Sequence, residues 1–129
     1  MNLELSYKLT SEKPFDEVVE NIENNSVNNM FRVLHVHDVK QTLLEKGFER
    51  APLKIIEVCN AGFAYNALNK TVDVAMFMPC KFVVAEIEGN TEVTLSRPSV
   101  ISEMLPDAGL EELAEQVEDT LKKVMEVSV

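Results

Sequence analysis

Lys81-Phe82-Val83-Val84-Ala85-Glu86-Ile87-Glu88-Gly89-Asn90-Thr91-Glu92-Val93-Thr94-Leu95-Ser96 is the stretch on which the fold turns. Two runs rich in β-branched and aromatic residues, Lys81 to Glu88 and Thr91 to Ser96, flank Gly89-Asn90. This is the pattern of antiparallel neighbours joined by a two-residue turn. With that hairpin as anchor, the rest of the chain falls into strands and helices around one sheet.

Upstream, Leu3, Leu5, Tyr7 and Leu9 alternate with Asn2, Glu4, Ser6 and Lys8, the two-residue period of a half-buried first strand. Ser11 and Pro14 then announce a helix whose Phe15, Val18, Val19 and Ile22 recur at spacings of three and four, giving one apolar stripe. The Asn-rich run from Asn24 to Asn29 is a turn. Phe31 to Val39 reads as a second strand, with Phe31, Val33, His35, His37 and Val39 on one face and Arg32, Leu34 and Val36 on the other. Asp38 and Gln41 have capping-box spacing for a short helix that Gly47 ends. Lys54 to Val58 is a third, more buried strand that delivers the chain to Cys59. Asn60 is placed to cap a helix from Ala61 to about Asn69. After the hairpin come a short helix following Pro98 and a longer one capped by Asp107, striped by Leu110, Leu113, Val117, Leu121 and Val124. The expected class is α+β: about five strands in a mixed or antiparallel sheet, with helices on one face, as a single domain over 1–129 in which 98–129 is a C-terminal helical extension.

Certain residues resemble a known family: Ile55-Ile56-Glu57-Val58-Cys59-Asn60, then Ala64 and Leu68, then Met78-Pro79-Cys80-Lys81-Phe82-Val83-Val84, then Glu86 and Gly89. Together they resemble the domain of unknown function 302 family, whose pattern is a strand ending in Cys-Asn-Pro, a helix of small and Leu positions, and a Pro-Cys that opens a hairpin. Ala61 stands here where the family commonly has proline. The resemblance runs from the first strand to about Pro98, so the acidic helix from Asp107 onward looks like an appendage. It implies a compact, frequently dimeric α+β fold without an established activity.

Composition narrows the function classes. A chain of 129 residues, 46% apolar and 26% charged, has enough apolar material for one core. Twelve basic against twenty-two acidic side chains give a formal charge of −10, a field that repels nucleic acid and anionic lipid. The opening residues lack a basic segment followed by an apolar run, and no stretch nears about 18 consecutive apolar residues. The expectation is a cytoplasmic protein that partners neither nucleic acid nor membrane. Two cysteines are too few for a disulfide framework and are read as reduced thiols.

Three clusters could carry chemistry. Cys59 ends a strand just before a helix N-terminus, where free N–H groups favour a thiolate, and a helical crossover would bring Cys80 beside it. The pair reads either as a thiol redox or metal site or as two small buried hydrophobes. His35 and His37 share a strand face, a spacing that metal sites on sheets use, and with the thiols would suit tetrahedral zinc; a hydrogen-bonded or pocket-lining role is the other reading. Met76, Phe77, Met78 and Phe82 surround Pro79, as pocket wall or as core. The glutamates at 17, 20 and 23 and at 111, 112, 115 and 118 fall on polar helix faces as solvated surface. No phosphate loop, dinucleotide fingerprint or nucleophile elbow is present, and the four glycines are scattered. The residues therefore point to a non-catalytic small domain that binds a small molecule or a second copy of itself as a homodimer, at Cys59, Asn60, Cys80, His35 and His37. A thiol redox or metal-binding protein built on Cys59 and Cys80 is the alternative, and no cofactor is specified.

Overall fold

The computed structural model describes residues 4–129. Five strands form one antiparallel sheet in the order β1-β5-β4-β3-β2, with β1 Ser6–Ser11, β2 Arg32–Asp38, β3 Leu53–Cys59, β4 Cys80–Ile87 and β5 Asn90–Ser96. Each neighbouring pair is antiparallel, which removes the mixed alternative. Asn2 and Leu3 lie outside the described residues. Leu5, expected in the first strand, precedes it and is exposed, whereas Tyr7 and Leu9 pack on the core.

β1 and β2 occupy opposite edges, so helix α1 (Phe15–Asn28) must cross the whole face between them. Its expected stripe does so: Val18, Val19 and Ile22 are buried. Helix α5 (Glu111–Ser128) packs beside α1 on the same face and inserts Leu121, Val124 and Met125, each 0% exposed. The sheet answers with Ile56, Val58, Phe82, Val84, Val93 and Leu95. Residues 98–129, expected as an extension, are thus built into the core. At about 2–5 kcal/mol for each fully buried aliphatic side chain truncated to alanine, the domain cannot do without them.

Three local expectations are corrected. The long helix does not start at an Asp107 cap. Asp107 lies in a 3-10 turn (Pro106–Ala108), Gly109 reverses the chain at φ 68°, and the helix begins at Glu111. The hairpin turn is Glu88-Gly89, one residue earlier than expected, because Ile87 pairs with Asn90 and both turn residues have positive φ, the type I′ geometry. Finally, β2 carries a bulge between Val33 and His35. The extra residue inverts the alternation, so Val33 and Val36 both pack on the core, while His35 and His37 point to the opposite face with Leu34 exposed. Helix α2 (Val39–Leu44) starts as expected, Asp38 Oδ1 accepting the Gln41 N–H at 3.0 Å.

Candidate functional site

At the end of the sheet where β3 and β4 meet, helix α3 (Ala61–Lys70), a 3-10 turn (Val72–Phe77), helix α4 (Ser99–Met104) and the start of α5 line a cavity of about 70 Å³ that is partly open to solvent. Alanines make the room. Ala64 and Ala67 on α3 and Ala114 on α5 stop short where a larger side chain would fill the space, and Val74, Met78, Ile101 and Leu110 complete an apolar wall. Phe63, its ring tilted 31° to that of Phe31 at a centroid distance of 6.2 Å, lines the side nearest Phe31.

Three of the five residues singled out from sequence meet here. Asn60 caps α3 as expected: its Oδ1 accepts the Phe63 N–H at 3.0 Å. Its Nδ2 donates to the Met30 carbonyl at 2.9 Å, tying α3 to the end of α1. Met30 sits there in the left-handed region at φ 68°, and the N–H groups of Met30 and Phe31 bond to Val27 and Ser26 carbonyls, a Schellman ending with methionine where glycine is usual. One bond at each end fixes the orientation of the Asn60 amide and leaves one N–H and one oxygen lone pair uncommitted.

The two thiols border the cavity but do not face one another. Cys80 pairs with Val58 across β3 and β4, so it shares the side of the sheet on which Val58 is buried, and it packs against the core cluster. Cys59 is one residue beyond Val58 and pairs with Arg32, so strand alternation sends it to the other side. Both cysteines are free thiols. Burial pushes the Cys80 thiol up to about 11, with a smaller contribution from the neighbouring Cys59. Burial also pushes Cys59 up, against the lowering expected at a helix start. Asn60 has taken the Phe63 N–H that a thiolate at that helix end would use. Burial thus disfavours the thiolate at both positions, more strongly at Cys80.

The histidines lie elsewhere. His35 stands opposite Glu57 and His37 opposite Ile55, on the face away from Ile56 and Val58. Their rings stack at 6.2 Å, and His37 Nε2 lies 3.0 Å from the Thr42 hydroxyl. Among the described residues no group of three or more His, Cys, Asp or Glu side chains converges as a metal site. Of the methionine and phenylalanine cluster, Phe82 is core, Met76 is exposed and Met78 lines the cavity. Sequence reasoning missed the walls from Ile101, Leu110 and Ala114. The signal available was an alanine inside the apolar stripe of a long helix.

The family model described as "Domain of unknown function DUF302" matches residues 7–127. The chain belongs to the DUF302 family. The match runs through α5, so the helix read as an appendage is part of the family's domain. A solved structure of an uncharacterized conserved DUF302 protein from Bacillus stearothermophilus is similar at 30% identity with a TM-score of 0.91, covering 97% of this chain and 98% of that one. No curated protein matches the chain.

Proposed function

We propose that this DUF302 domain is a non-catalytic binding module that takes a small apolar molecule into the cavity between the sheet end and α3, α4 and α5. The observation that carries this reading is a wall that is apolar almost throughout, with Ala64, Ala67, Val74, Ile101, Leu110 and Ala114 around the space and the Asn60 amide at its edge already committed to the α3 cap and the Met30 carbonyl. Such a wall favours a neutral ligand that needs no hydrogen bonds, such as a short aliphatic or a single aromatic ring, because any polar group brought inside would lose its water without compensation. No membrane-spanning helix is found among the described residues, since none is long and apolar enough. The reading keeps both thiols reduced, as in a cytoplasmic setting.

The test is titration of ¹⁵N-labelled protein with benzene and with cyclohexane. The reading expects saturable shifts confined to amides around Ala67, Val74, Ile101 and Leu110, abolished by filling the chamber with Ala114→Leu. Shifts spread evenly over the surface, or none at ligand saturation, would contradict it.

A second copy of the chain is the other partner we propose. What favours it is the sheet face turned away from α1 and α5, which carries Ile55 and Val83 side by side among Lys8, Glu57 and Lys81. Sedimentation equilibrium checks this: Ile55→Lys should shift a dimer to monomer, and a wild-type chain that sediments as monomer at high concentration contradicts it.

A further inference from the structure

Helix α4 walls one side of the cavity through Ile101, with Pro98 just before it, yet little of its own holds it there. It has six residues, about half the length at which helices begin to stand alone. Its N-cap position is Pro98, which is buried but has no side-chain acceptor; within the helix Ser102 is buried and Ile101 partly buried, with Leu105 just beyond its end.

The anchor comes from α5. Glu118, only 7% exposed, has its Oε1 2.6 Å from the Ser99 hydroxyl and 3.1 Å from the Ser99 N–H, both of which donate to it. The carboxylate therefore supplies in trans the cap that the short helix lacks. Arg97 flanks it, with Nε and Nη2 each 3.4 Å from a carboxylate oxygen and Nη2 also donating to the Ser99 hydroxyl at 3.1 Å. Lys122 Nζ lies 3.5 Å from Oε2. The outer charges are Glu4, 3.6 Å from Arg97, and the Tyr7 ring beneath Lys122, with Glu126 at the Tyr7 hydroxyl. Partial burial works against the charge on Glu118, but the Ser99 bonds and Arg97 outweigh it and hold its pKa below the ordinary carboxylate value.

We propose that α4 is a movable wall of the cavity and that Glu118 is its latch: when the hold on Ser99 is lost, α4 swings away as a unit and widens the partly open way into the chamber. This gives a route to the site of the preceding section and rests on that reading for its purpose, though not for its test. Because the latch needs an ionised Glu118, it stays shut at neutral pH and loosens in acid.

The readout is the partly buried thiol of Cys80, which borders the cavity and which no ligand need occupy. The intact protein is labelled at neutral pH with methyl methanethiosulfonate, and modification at Cys80 is followed by mass spectrometry in wild type, Glu118→Ala, Ser99→Ala and, as a control for general destabilisation, Val93→Ala. Loss of hydrogen bonds to a charged group should speed Cys80 labelling roughly ten- to a hundred-fold in Glu118→Ala. A smaller gain is expected in Ser99→Ala, which keeps the backbone bond. Both should label faster than Val93→Ala at equal unfolding midpoint. Labelling that is unchanged, or that follows global stability alone in all three variants, overturns the movable wall. If Glu118→Ala does not fold, Ser99→Ala decides by the same comparison. A wall that opens while benzene and cyclohexane never bind would retire the proposed function and leave the movable wall, and the converse result would do the reverse.

Discussion

Val58 and Cys80 are direct partners across β3 and β4, whereas Cys59, the next residue, pairs with Arg32 of β2. One step along a strand reverses the side chain, so the two thiols leave the sheet on opposite sides. Mild oxidation of the folded protein should therefore leave two free thiols, with Cys59 alkylating first. Peptide mapping after limited alkylation checks this, and rapid formation of an intramolecular Cys59–Cys80 disulfide would contradict the ladder.

The Cys80 thiol makes stability depend on alkaline pH. Its folded pKa, about 11, lies above its ordinary value of 9.0. Between those values the unfolded chain has lost the proton that the folded chain retains. The contribution is thus fully present below about pH 9 and is lost as pH rises toward 11, in total roughly 3 kcal/mol. Urea unfolding across this window should show a fall in stability that Cys80→Ala flattens; parallel curves for the two proteins would contradict the assignment.

Met30 pays for its left-handed backbone with no packing in return, since it is 79% exposed. Met30→Gly should raise stability by about 1 kcal/mol. Asn60→Ala, which removes both the α3 cap and the bond to the Met30 carbonyl, should cost about 1–2 kcal/mol. Chemical denaturation midpoints measure both, and the opposite sign for either would show that the Asn60 bridge is not what fixes this corner.

Glu88 occupies the first position of a type I′ turn at φ 51°. Asn tolerates that backbone far better than Glu, so Glu88→Asn should stabilise the hairpin by roughly 1 kcal/mol. A thermal unfolding midpoint that falls in this variant would place the turn elsewhere.

These corrections show what a pattern of residues can reveal and what it conceals. The stripe of α1 and the alternation of β4 and β5 were legible because each side chain's burial follows one unbroken period. The faces of β2 were not. Phe31 and Val33 predict the buried side correctly, but a bulge adds a residue without altering composition, and everything after Leu34 changes side. That shift puts the histidines on the face opposite Cys80. At the hairpin, Gly-Asn and Glu-Gly are both credible turn pairs, and only the pairing of Ile87 with Asn90 separates them. Cys59, Asn60 and Cys80 were legible as a cluster because they bracket one crossover. The cavity itself was not, because its far wall comes from α4 and α5, and space left by an alanine is a property of packing between distant segments.

Whether the chamber admits an apolar guest is decided by a crystal equilibrated under xenon. One ordered xenon atom is expected among Ala67, Val74, Leu110 and Cys80, absent from an Ala114→Leu crystal treated in the same way. Xenon found only at the surface, or equally in both crystals, would contradict the proposed binding.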